Sequence, residues 1–164
     1  MVVLWAVMLL AFFTMSRKDN FSVEKIDAFN ARQHLTRGDV KIMRSSVLCS
    51  FRRSKSNQLN ERVHKVLALA MPGKILDPRL AVERVFAVSP HARSLDPAFM
   101  IPSAKGPVPL TLIFVGVLKH CLRAISVDES LYSGHSFRRG GATYAHRLGV
   151  DPKHPMLITT EADG

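Results

Sequence analysis

The stretch "HSFRRGGATYAHRLGV", His135 to Val150, places a histidine three residues ahead of an arginine and then follows a second arginine with two glycines and an alanine. On a helix, residues three apart share a face, so the imidazole of His135 and the guanidinium of Arg138 can address one ligand. The planar guanidinium fork holds two oxygens of a phosphate, and an imidazole beside it exchanges a proton near neutral pH. Gly140, Gly141 and Ala142 carry almost no side chain, so another backbone can approach closely behind the arginine. Taken alone, the same residues read more readily as the solvated basic face of a helix.

Two further cations are candidates. Arg17 directly follows an apolar run in "AFFTMSRKDN"; it either ends a buried helix with its head in water or faces a ligand. Lys55, in "FRRSKSNQ", lies between two β-prone runs, where a lysine is ordinarily a solvated charge at a hairpin tip. The histidines are scattered and no Cys-x2-Cys or matched His pair occurs, so neither a metal nor another cofactor is expected. Cys49 and Cys121 stand far apart in apolar settings, which is no disulfide framework and fits a reducing, intracellular compartment.

The elements that must position these residues follow from patterning. At 164 residues and 47% hydrophobic content the chain has the make-up of one globular domain. Its 23 Lys+Arg against 13 Asp+Glu, a net charge of +10, call for a polyanionic partner, nucleic acid ahead of an acidic membrane surface. Met1 to Phe13 carries no charge, yet it is shorter than the ~20 residues of a membrane span, so a buried helix from Val2 to about Met15 is expected. Three β-prone runs, "DVKIM", "SVLCSF" and "RVHKVLALA", predict a small antiparallel meander. Asp77-Pro78 reads as a helix start, a cap followed by proline at the first helical position. Further helices are expected over about Leu110–Ser126 and Ser136–Leu148, with an irregular segment at 22–37 and a proline-rich loop at 89–109. The fold class is therefore α+β, mainly helical, with a three-stranded antiparallel sheet.

In this order the residues resemble the catalytic domain of tyrosine recombinases, the phage-integrase superfamily, and in particular its eukaryotic mobile-element branch. "LLAFFTMSRKDNF" looks like the helix that ends in the family's first arginine, "HLTRGDV" like the start of its small sheet, "SKSNQ...ER" like its lysine hairpin, and "YSGHSFRRGGAT" like its His-x-x-Arg box. The resemblance implies that Arg17 and Arg138 clamp the non-bridging oxygens of a scissile phosphate. It makes Lys55 the general acid toward the leaving 5′ oxygen and His135 an assistant in proton transfer and charge stabilisation. DNA is the implied partner, with assembly of several copies on DNA, activity in DNA recombination and integration, and a nuclear location if the source is eukaryotic.

The family pattern is incomplete. It needs a nucleophilic tyrosine on a later helix and a second His or Trp near the phosphate. Only Tyr132 and Tyr144 are present. Tyr132 precedes the box, and Tyr144, six residues past Arg138, falls on another helical face and is expected to pack rather than attack. His154, in the polar stretch "DPKHPM", reads as a solvated loop residue. Residues 1–150 are thus expected to form a partial catalytic domain, truncated at both ends, and 151–164 a divergent tail. The expected function is DNA binding by a recombinase-derived phosphate site. A non-catalytic DNA-binding module and a small basic membrane-associated protein are the alternatives.

Overall fold

Twelve consecutive residues without a charge form the first helix, and two later helices and a strand of the sheet pack against it. A computed structural model describes residues 1–52, 63–104 and 106–149. In it α1 (Val2–Phe13) buries Val3, Leu4, Ala6, Val7, Leu9, Leu10 and Ala11, leaving Trp5 40% exposed. Full burial of each larger apolar side chain is worth roughly 1.5–3 kcal/mol, so this helix anchors the core. It ends where the Thr14 hydroxyl donates to the Leu10 carbonyl at 2.6 Å and Met15 takes a left-handed turn at φ 50°. The expected buried helix is present, about two residues shorter at its C-terminal end.

The expected meander is present too. Strands β1 (Val40–Ile42), β2 (Ser46–Phe51) and β3 (His64–Leu69) pair antiparallel in the order β1-β2-β3. Cys49 pairs with Val40 on one side and Val66 on the other. Alternation sets the faces: Val47, Cys49 and Phe51 of β2, with Val66 and Ala68 of β3, point into the core shared with α1. Burial of Cys49, helped by the nearby Asp39 charge, pushes its thiol from 9.0 up to about 12. The folded chain therefore holds that proton between pH 9 and about 12 while the unfolded chain releases it, so this contribution to stability is intact below pH 9 and is lost as pH climbs toward 12. In a thiol titration at pH 8, exposed Cys121 should react at once and Cys49 only after denaturant is added; two equally fast thiols would contradict the packing of β2.

Helix α2 (Pro78–Val88) starts where the sequence signals it. The Asp77 carboxylate accepts from the backbone N–H groups of Arg79 and Leu80 at 2.8 and 3.3 Å, and Pro78 occupies the first turn. Ala81, Val82 and Val85 form its buried stripe against α1 and the sheet. Arg79 Nε donates to the Met43 carbonyl at 2.9 Å, tying the helix to the β1–β2 turn.

The segment expected as a loop holds a short ribbon. Strands β4 (Met100–Ile101) and β5 (Val108–Pro109) pair Met100 with Pro109 and Ile101 with Val108. Proline lacks the N–H that a ladder uses, so it hides a strand this short from pattern reading, although a ribbon end tolerates it. Helices α3 (Thr111–Ala124) and α4 (Ser136–Arg147) follow, within a residue or two of the expected bounds. The architecture is α+β: four α-helices and a three-stranded antiparallel sheet among the described residues. No helix among them is long and apolar enough to cross a membrane.

Candidate functional site

Two glycines set the position of α4. A Cβ built on Gly141 would collide with the carbonyl oxygen of Phe12 and lie 3.0 Å from that carbonyl's carbon, so the end of α1 runs directly beneath this helix. At Gly140 a Cβ would meet the edge of the Phe12 ring at 3.3 Å. The close backbone approach expected behind the arginines is therefore made by α1. Tyr144 packs its ring on Phe12, centroids 5.8 Å apart, and Phe137 meets Phe114 of α3 edge-on at 5.6 Å. Just before α4, the aliphatic chain of Lys18 lies against Gly134, where a Cβ would come within 2.7 Å of Lys18 Cδ.

This packing unites two distant cations. Arg17, two residues past the turn that ends α1, and Arg138, in the first turn of α4, line the same cleft of about 580 Å³. Arg17 is half-buried, and its Nε is buried with no hydrogen-bond partner among the described residues. Arg138 is exposed. Asp19 is the one carboxylate among the residues lining the cleft, and Lys18 Nζ donates to its Oδ1 at 2.5 Å, which offsets its charge. The cleft thus presents a net positive wall.

Further lining comes from the irregular segment before the sheet. Thr36 and Asp39 form a reciprocal cap in which one Asp39 oxygen accepts from the Thr36 N–H at 2.9 Å and from its hydroxyl at 2.7 Å. The other accepts from Arg52 Nη2 at 2.6 Å, and Arg52 Nη1 donates to the Ala31 carbonyl at 2.5 Å. One buried carboxylate therefore fixes the chain around Gln33, His34 and Leu35, all of which line the cleft. Replacing Asp39 by alanine strips partners from Thr36 and Arg52 together. Because the Arg52 side chain is 35% exposed, the cost falls below that of a fully buried pair: about 2–3 kcal/mol. A calorimetric melt should show Tm lower by roughly 5–10 °C; an unchanged melt would mean the cap holds nothing.

The other expected site residues are placed as follows. His135 stands just before α4 without a side-chain capping bond, is exposed, and is not among the residues lining the cleft; its backbone N–H donates to Ser133 Oγ at 3.3 Å. Lys55 lies outside the described residues, as do His154 and the tail from 151 to 164. Tyr132 and Tyr144 line no part of the cleft, and the contact of Tyr144 with Phe12 gives it the packing role expected. Sequence reading did not single out Arg52, His34 or Phe29 as site residues. Arg52 had a visible signal in the basic run "FRRSK", whereas His34 and Phe29 come from a segment without periodicity.

Among the described residues no group of three or more His, Cys, Asp or Glu could hold a metal ion. The arrangement places two guanidinium groups on one concave, partly aromatic surface. No protein-family model, curated protein or solved structure matches this chain.

Proposed function

We propose that this chain is a DNA-binding protein of the tyrosine-recombinase type, in which Arg17 and Arg138 grip one backbone phosphate from two sides. The observation that carries this reading is their meeting in one cleft although they lie at opposite ends of the sequence. The order of the motifs, the glycine-backed α4 and the net charge of +10 support the same reading. A half-buried guanidinium whose Nε has no partner among the described residues is costly to keep, roughly 1–3 kcal/mol, and a phosphate oxygen that draws the side chain round relieves that cost. The roles that the resemblance implies for Lys55 and His135, proton donation to a leaving oxygen and support of charge at the phosphate, belong to a covalent step, and His135 does not line the cleft. On this reading the bound species are DNA strands, with several copies assembling on one DNA.

Neither tyrosine of the chain lines the cleft, so binding without a covalent step is the function that its own residues supply. A duplex carrying a nick beside the binding position traps a covalent intermediate if one forms. The expected result is a salt-sensitive complex and no adduct that survives denaturing electrophoresis. Absence of binding at low salt would overturn the reading, and an adduct would overturn its non-covalent part.

A further inference from the structure

The surface between the two arginines and the cap is not shaped for a phosphate alone. Phe21, Phe51 and Phe99 close its floor, all at 4% exposure or less. Phe29 and His34 line it as a stacked pair, half-buried, with ring centroids 5.8 Å apart and planes 29° from parallel. The pair is held in place: the Asn30 backbone N–H donates to His34 Nδ1 at 3.0 Å, and the Asp39–Arg52 latch holds Ala31. A volume of about 580 Å³ falls within the roughly 300–1,000 Å³ usual for small-ligand sites. A paired duplex cannot use such a hollow, because its bases remain stacked inside the helix and only its backbone reaches the arginines.

Resting on the phosphate reading above, we infer that the cleft takes an unpaired nucleotide, its phosphate between Arg17 and Arg138 and its base against the Phe29–His34 pair. The ligand class is single-stranded or locally unpaired nucleic acid. Every base offers a π-face, so the site tolerates any sequence. In a duplex the same contact requires extrusion of a base, which is least costly at mismatches.

The test compares three oligonucleotides of equal length on the full chain by fluorescence anisotropy at one salt concentration: a thymidine single strand, a single strand of abasic units, and a paired duplex. Since a stacked base contributes about 1–3 kcal/mol, the thymidine strand should bind about tenfold more tightly than the abasic strand, which keeps the charge and lacks the rings. Phe29→Leu, which keeps the apolar volume and removes the π-face, should erase most of that difference. Equal affinity for thymidine and abasic strands would overturn the base site while leaving the phosphate grip standing. Failure of all three ligands to bind would overturn both.

Discussion

Replacing Gly141 by alanine is expected to cost about 3 kcal/mol or more and to lower Tm by roughly 6–12 °C. Two effects oppose each other. Alanine is the better helix former by about 1 kcal/mol, which alone would stabilise α4. Against this, the new methyl collides with the carbonyl of Phe12, a backbone group that moves only if α1 and α4 separate. Overpacking of this kind typically costs 1–3 kcal/mol even where side chains can adjust; here the obstacle is backbone, so the clash wins. Gly116 on α3 supplies the control, because a Cβ there meets nothing within 4 Å. Gly116→Ala should raise Tm slightly. Calorimetry of both variants checks the pair, and a stable Gly141→Ala protein would mean that α4 is not seated on α1. The loss should extend to ligand binding, since Arg138 rides on the helix that is displaced.

The second large effect concerns the arginines. Each charge-assisted contact to a phosphate is worth about 1.5–3 kcal/mol, so Arg17→Ala and Arg138→Ala should each weaken binding to a short DNA by about ten- to a hundredfold at low salt. If both hold one phosphate, removing the first loosens the group that the second grips. The double substitution should then cost less than the sum of the two, by at least about 0.5 kcal/mol of coupling. The slope of log affinity against log salt should also become shallower, by about 0.9 for each phosphate no longer neutralised. Strict additivity would place the two cations on separate phosphates. Anisotropy titrations over a range of salt read both quantities.

Much of the frame was legible in the residues. The charge-free run at 2–13, the Asp77-Pro78 start and the alternation of "SVLCSF" each carry a local signal that packing reinforces, so α1, α2 and β2 stand where patterning puts them. The β4–β5 ribbon was hidden because Pro102, Pro107 and Pro109 read as loop, and two-residue strands have no period to detect. The glycines behind Arg138 announced a close approach, although which backbone makes it depends on tertiary packing. Motif order put Arg17, Lys55, His135 and Arg138 at one site; Arg17 and Arg138 share a cleft, His135 does not line it, and Lys55 lies outside the described residues. The aromatic wall did not follow from motif order, because Phe29 and His34 are brought together by hydrogen bonds from Asn30, Asp39 and Arg52 that no sequence period encodes. Single-residue signals and non-local hydrogen bonds lie beyond what periodicity can report.

The shared grip on one anion is tested most directly by side-chain ¹H–¹⁵N spectra of the arginine Nε–H groups, assigned with Arg17→Lys and Arg138→Lys, during titration with a short oligonucleotide. The Arg17 and Arg138 signals should move together, along curves with a single dissociation constant, and the Arg17 Nε–H should move most as it gains an oxygen partner. Movement of Arg138 alone, with Arg17 unchanged at saturation, would contradict the grip.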